Sequence, residues 1–247
     1  MPRLLITICT YNELENVRLL LPELRAVAPE ADILVIDDNS PDGTGAAVRE
    51  LSVNDPAIRL LQREQKLGLG TAALTGFEYG IQHQYDLLLN MDADFSHHPR
   101  HIPALIQLSE TCDVAIGSRY VAGGGVVGWS LLRHFMSRAI NIYTRLLLGV
   151  RTRDNSGSFR CYRVRKLAAI DWGQTLSKGY SFFEEVLYRC AAADCTFGET
   201  PIVFEDRRFG ETKISFKECV IALWIIFRLG IQRLLGTSVR HRPPAHK

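Results

Sequence analysis

DLLLNMDADFSHHP, residues 86–99, decides the reading of the chain. A short apolar run ends abruptly in acidic and polar residues, which is how a buried strand hands its last side chains to a site. Carboxylates two apart in extended backbone project to the same side. Asp92 and Asp94 therefore converge at the strand end on one hard cation or on that cation's ligands. Standing alone, such a pair is a common accident, and two solvated loop acids are the bland reading. Its place at the end of a buried strand favours the metal. His97, His98 and His101 invite a zinc reading, yet Pro99 and a helix start make them equally good surface residues at a helix N-terminus. Asp94, with Ser96, is the economical choice for the hard-metal ligands.

Working outward, the same pattern repeats. LLITICT (4–10), ADILVIDD (31–38), IRLLQ (58–62) and DVAIGS (113–118) are short apolar or β-branched runs, and helical stretches alternate with the first three. A βαβα rhythm predicts an α/β fold, a Rossmann-like and mostly parallel sheet with helices on both faces. Ligands of such sheets collect beyond the carboxyl ends of the strands. There the chain reads TYNE, DDNSPDGT, REQKLGLG, DADFSHHP and GSRYVAGGG, all polar or glycine-rich. Asn12 and Glu15 match a capping box for the first helix, and Pro22 is expected to kink or split it. Asp38 suits a hydrogen-bond acceptor for ribose hydroxyls or a base amino group, while Asp42 reads as a helix-capping turn acid. Gly68 and Gly70 make neither a dinucleotide fingerprint nor a P-loop and are expected to permit close backbone approach. Lys66 is evenly poised between phosphate contact and solvation.

The chain of 247 residues, 47% hydrophobic, is long enough for one α/β domain plus an appendage. Its net charge of +2 argues against a dedicated nucleic-acid binder. Six scattered cysteines without a CxxC pair read as reduced thiols, and the N-terminus lacks the long apolar region of a signal peptide, so a cytoplasmic protein is expected. From about Gly123 the alternation is lost, and residues 151–213 read as irregular segments with a helix near 182–192. Arg207, Arg208 and Lys213 lie on one loop with Gly210 as a pivot, and three cations there suit a phosphate or diphosphate. FKECVIALWIIFRLGIQRLLG (216–236) is strongly apolar, but its uncharged core is far short of the ~20 residues that span a bilayer. Flanking Arg228, Arg233, Arg240 and Arg242 fit a helix lying in a membrane interface; a helix docked on the domain or in a dimer is the equal alternative.

Taken together, CTYNELEN, VIDDNSPDGT, KLGLGTA, MDADFSHHP, GSRYVAGG, FRCYR, GYSFFEE and PIVFEDRRFGETK resemble, in order, the family-2 glycosyltransferases of GT-A fold, specifically the polyprenol-phosphate (dolichol-phosphate) mannose synthases. The resemblance runs from Thr7 to Lys213. It implies a catalytic domain over 1–213 and an apolar helix with a basic tail over 214–247. It also implies a nucleoside pocket from Cys9, Tyr11, Glu13, Ile36 and Asp38, a diphosphate and metal site at Asp92, Ala93 and Asp94, phosphate clamps at Arg119, Arg207 and Lys213, and Glu185 near the sugar. Cys9 stands where the family usually has Pro, Ser96 where several relatives carry Gln as a metal ligand, and NSGSFR replaces the commoner TSGFR order.

The implied reaction is inverting transfer of mannose from GDP-mannose to a polyprenol (dolichol) monophosphate with Mg2+ or Mn2+, at the cytoplasmic face of a membrane. A membrane-anchoring subunit or a homodimer are further partners to be tested. A UDP-glucose-dependent synthase shares the same geometry and is the alternative within enzymes. A non-catalytic module that binds nucleotide sugars is the alternative outside them.

Overall fold

The computed structural model describes residues 2–206 and 216–236. Leu4–Thr10 (β1), Leu14–Val27 (α1), Asp32–Asp37 (β2), Thr44–Asn54 (α2), Ile58–Gln62 (β3), Leu69–Gln82 (α3) and Leu87–Asp92 (β4) realise the alternating rhythm of the first half. Ile102–Leu108 (α4) and Val114–Ser118 (β5) follow, then the two-residue strand Gly125–Val126 (β6). Leu131–Leu148 (α5), Arg160–Arg163 (β7), Val164–Ala168 (α6), Phe182–Ala192 (α7), Phe197–Pro201 (β8), Val203–Phe204 (β9) and Phe216–Leu234 (α8) complete the described order.

The main sheet runs β3-β2-β1-β4-β7-β5-β8. Its left half is parallel, and β7 enters antiparallel between β4 and β5. The chain builds outward from β1 through β2 to β3 and then returns to β4 on β1's other side. The carboxyl ends of β1 and β4 thus flank the point where strand order reverses, the expected place for a ligand crevice. Cys9 pairs in register with Asp92 there.

Because the strands are covered on both faces, their side chains alternate between two cores. Ile6, Ile8, Ile33 and Val35 meet Val17, Leu20 and Leu24 of α1. Leu5, Leu34 and Ile36 point the other way, toward Phe77 of α3 and Phe182 and Val186 of α7. Phe77 ties that second core together by edge contacts to Tyr162 and Trp172 at 5.2 and 5.4 Å.

Two local expectations are corrected. No capping box forms: Asn12 takes φ +57°, and the N-cap Glu13 makes no side-chain cap. The free amides at the helix start are instead satisfied across the chain, Leu14 N donating to Asp42 Oδ2 and Glu13 N to Thr44 Oγ1. Asp42 also accepts from Thr44 N, so it caps as a turn acid while fastening the loop after β1 to the loop after β2. Pro22 does not split α1, which runs unbroken from Leu14 to Val27. Pro22 and Arg18, whose carbonyl it leaves without a donor, both sit on the exposed side where water serves instead.

The second half is more regular than its composition suggests. α5 spans eighteen residues, with Ser130 accepting from Arg133 N at its start and Gly149, at φ +69°, closing its end. The α7 expectation agrees with the structure. α8 packs one side onto the domain through buried Ile226 and Leu229.

Candidate active site

A cleft of about 240 Å³ opens at the crevice between β1 and β4. Cys9, Tyr11, Glu13, Asp38, Asp92, Ala93 and Asp94 line it, so the structure brings seven of the sequence-derived candidates together. Lys66, Gly68, Tyr180 and Glu218, from α8, complete the wall.

The acidic pair is held by a network the spacing did not reveal. Asp94 Oδ1 accepts from Ser96 N at 3.1 Å and Ser96 Oγ at 2.6 Å. Ser96 is buried, and its hydroxyl serves Asp94; it orients the carboxylate and was expected to be a ligand itself. Phe95 between them adopts φ +63°, a left-handed turn that costs a non-glycine residue about 1 kcal/mol or more and folds Ser96 back onto Asp94. Asp92 is more open, with 38% of its side chain exposed on the cleft. Its Oδ1 accepts from Ser158 Oγ at 2.8 Å. Continuing the antiparallel register from Asn90 and Arg160 by two residues sets Ser158 opposite Asp92.

His97 is buried under this turn, stacked on Phe159, and its Nδ1 accepts from Asp92 N. Burial lowers its pKa against the pull of Asp92 and Asp94, so the ring is neutral and serves as a fixed acceptor. Among the described residues, no group of three His, Cys, Asp or Glu side chains is placed to hold a metal. The chain offers Asp92 and Asp94, two hard oxygen donors at a cleft. That set fits Mg2+ or Mn2+ completed by oxygens of a bound diphosphate.

Asp38 is buried and meets Arg63, Nε to Oδ1 at 2.5 Å. Arg63 in turn reaches Thr71 Oγ1 and Gly68 O, so one guanidinium ties the ends of β2 and β3 to the start of α3. Gly68, at φ +104°, comes so close to Lys178 that a Cβ would sit 2.4 Å from its carbonyl oxygen. A Cβ on Gly70 would strike Phe182 at 2.7 Å, which explains why both positions need glycine. Lys66 lies 4.0 Å above the Tyr11 ring, a cation–π contact that leaves its charge at the rim of the cleft. Burial, with Asp92 nearby, pushes the Cys9 thiol far above its usual pKa, so it is a neutral wall of the pocket.

Other candidates fall elsewhere. Ile36 turns its side chain into the core, where Gly76 makes room for it. Arg119 is buried outside the cleft lining, its Nε and Nη2 both donating to Asp154 at 2.7 and 2.6 Å. Burial works against the Asp154 carboxylate, yet Arg119 and its hydrogen bonds hold its pKa below the ordinary value. Arg119 thus arrives pre-set, close enough to Asp92 for their charges to interact. Glu185, expected near the sugar, is not among the residues lining the cleft. Its carboxylate accepts from Leu176 N, Ser177 N and Arg189, stitching a loop to α7. Its neighbour Glu184 is buried with one oxygen lacking any partner, and burial raises its pKa to about 7. Arg207, Arg208 and Lys213 lie outside the described residues.

The mixed α/β sheet thus sets paired carboxylates at its switch point, beside a pocket lined by Tyr11, Glu13 and Asp38. Residues 5–171 match the family model described as Glycosyl transferase family 2, and the chain belongs to that family. It is 43% identical over 213 residues to an undecaprenyl-phosphate mannosyltransferase of Micrococcus luteus, covering 86% of this chain and 88% of the relative. To a polyprenol monophosphomannose synthase of Mycolicibacterium smegmatis it is 40% identical over 238 residues, covering 96% and 90%. Among solved structures, glucosyl-3-phosphoglycerate synthase of Mycobacterium tuberculosis with Mn2+, UDP and phosphoglyceric acid superposes with TM-score 0.64 at 14% identity, over 98% of this chain and 86% of that one. A mannosyltransferase of Pyrobaculum calidifontis in complex with GDP-Man and Mn2+ gives TM-score 0.59 at 14% identity, over 98% and 66%. At those identities the solved structures speak to the fold.

Proposed function

We propose that this glycosyltransferase moves mannose from GDP-mannose to a polyprenyl monophosphate, with inversion at the anomeric carbon and with Mg2+ or Mn2+ bound at Asp92 and Asp94. The observation that carries the reading is the convergence of Asp92 and Asp94 with Tyr11, Glu13 and Asp38 on one cleft. The names of the two relatives above support the lipid phosphate and the sugar, and the GDP-Man complex of the Pyrobaculum enzyme supports the donor.

The acceptor's chemistry explains what the cleft contains. A phosphate monoester has its second pKa near about 6, so its oxygen is largely ionised at neutral pH and attacks without a strong general base. The protein's task is then to align the two substrates and to balance their charge. Tyr11, Glu13 and Asp38 hold the nucleoside, and Ser158 and Ser96 fix the two carboxylates that face the diphosphate. When bound there, the divalent cation supplies charge neutralisation to the departing nucleotide diphosphate. Arg119, locked by Asp154, and Lys66 at the rim add positive potential for the incoming phosphate. A single in-line displacement leaves the new bond on the opposite face of the sugar. The enzyme is placed by this reading at the cytoplasmic surface of a membrane, where a soluble nucleotide sugar and a lipid phosphate reach one cleft.

A donor panel tests the proposal. Purified protein is given GDP-mannose or UDP-glucose, a short polyprenyl phosphate and either metal. Mannosyl transfer with GDP release, abolished by EDTA, is the expected result. Preference for UDP-glucose would replace the donor, and no transfer from either would end the reading.

A further inference from the structure

The pairing of β4 with β7 ends at Asn90, opposite Arg160. Two residues later, at the strand's last position, the Asp92 amide donates to the Nδ1 of His97 at 3.2 Å. An Nδ1 that accepts carries no proton, so the ring proton sits on Nε2. Phe95, at φ +63°, makes the turn that brings position 97 back beneath position 92. A side chain thus supplies at the strand end the acceptor that a neighbouring strand supplies farther down.

The ring itself is clamped. Only 3% of the His97 side chain is exposed. Phe159, the residue before β7, stacks on it at 4.9 Å with the planes 16° apart, and Phe204 of β9 meets it at 5.5 Å and 78°. Phe204 also packs on Trp129, and both of those rings lie 5.4 Å from the Arg119 guanidinium. Two further contacts fasten the same turn to β9 and the residue after it: Val203 N donates to His101 Nε2 at 3.4 Å, and Arg100 pairs with Glu205 at 2.6 Å. A histidine in such a place is ordinarily core filling, a task that phenylalanine performs equally well. What the imidazole adds to a phenyl ring here is the acceptor.

We propose that His97 is a positioning residue for cation binding and acts through Asp92. Its Nδ1 fixes the backbone that aims the Asp92 carboxylate, while its ring ties that backbone to the Phe204 and Trp129 rings beside Arg119. Without the acceptor, the Asp92 amide must turn to another partner, and the strand end shifts together with the carboxylate it carries. The cation half of this inference rests on the function proposed above; the backbone half does not.

The test compares two substitutions of the full chain by Mn2+ capture, read by electron paramagnetic resonance with GDP present. His97→Phe keeps an aromatic ring for Phe159 and Phe204 but has no acceptor. His97→Asn gives up the ring and sets a carbonyl oxygen near the place of Nδ1. His97→Phe is expected to weaken capture about tenfold, and His97→Asn to stay within about twofold of wild type even though it melts at a lower temperature. Packing alone gives the reverse order, and that result, or two variants that capture like wild type, overturns the proposal. Should His97→Phe not fold, His97→Asn decides alone: capture kept supports the acceptor role and capture lost overturns it. If wild type itself captures no Mn2+, the cation reading falls, and deuterium exchange at the Asp92 amide decides for His97. Exchange that is faster in His97→Phe than in wild type and is slowed again in His97→Asn upholds the positioning role, whereas equal exchange in all three ends it.

Discussion

Ser158 Oγ, two residues ahead of the antiparallel strand that divides the sheet, donates a 2.8 Å hydrogen bond to Asp92 Oδ1. The inserted strand β7 thus does more than fill a gap between β4 and β5. It aims the more exposed of the two cleft carboxylates.

A hydrogen bond to an ionised group contributes about 1.5–3 kcal/mol. Ser158→Ala is therefore expected to lower kcat/KM about tenfold or more, with the thermal midpoint nearly unchanged. Steady-state kinetics with both substrates checks this; wild-type kinetics would show that Asp92 needs no such partner.

The side chains of Asp38 and Arg63 are only 7% and 9% exposed and face one another. Removing one partner leaves the other charge uncompensated, at a cost of about 3–5 kcal/mol. Asp38→Ala should lower the unfolding free energy from chemical denaturation by that amount and raise KM for the donor. The double variant Asp38→Ala with Arg63→Met should recover much of the stability but not the KM.

Glu184 gives a pH signature. Burial raises its pKa in the folded chain from an ordinary 4.5 to about 7. Between those values the unfolded chain has lost the proton that the folded chain keeps, so stability contributed by this group falls as pH rises through the window. Glu184→Gln removes the penalty. Its stability should match wild type near the low end of the window and exceed it by roughly 2 kcal/mol above the high end. Thermal melts across that range check the sign; a gap that shrinks as pH rises would contradict it.

Gly68 sits at φ +104° with Lys178 O where a side chain would go. Gly68→Ala must push two loops apart at the cleft, and a loss of about 2 kcal/mol or more in stability is expected, together with weaker nucleotide binding. Calorimetry with GDP measures both effects on one sample.

Most of the fold was legible where periodicity and burial coincide. The apolar runs at residues 4–10, 31–38 and 86–92, the last two ending in acids, place β1, β2 and β4 and put Cys9, Asp38 and Asp92 at one edge. β7 was not legible, because RCYR is short and its role comes from pairing with a strand seventy residues earlier. Ser158 was missed for the same reason. α5 was hidden by SRAINIYTR, where small and β-branched residues carry little helical signal and stability comes from packing on α8. The ion pair of Glu185 with Arg189 was not legible, because adjacent helix residues point in different directions and sequence does not say which of Glu184 and Glu185 meets Arg189. The cap of α1 failed as a local reading since its partners, Asp42 and Thr44, are supplied by the next loop.

The most direct measurement is Mn2+ capture followed by electron paramagnetic resonance, with GDP present. Wild type should quench the free-ion signal only when GDP is added, and Asp94→Asn should leave the signal at its free intensity with the fold intact. Equal capture by wild type and by the Asp92→Asn, Asp94→Asn double variant would show that the cation, if any, is held elsewhere.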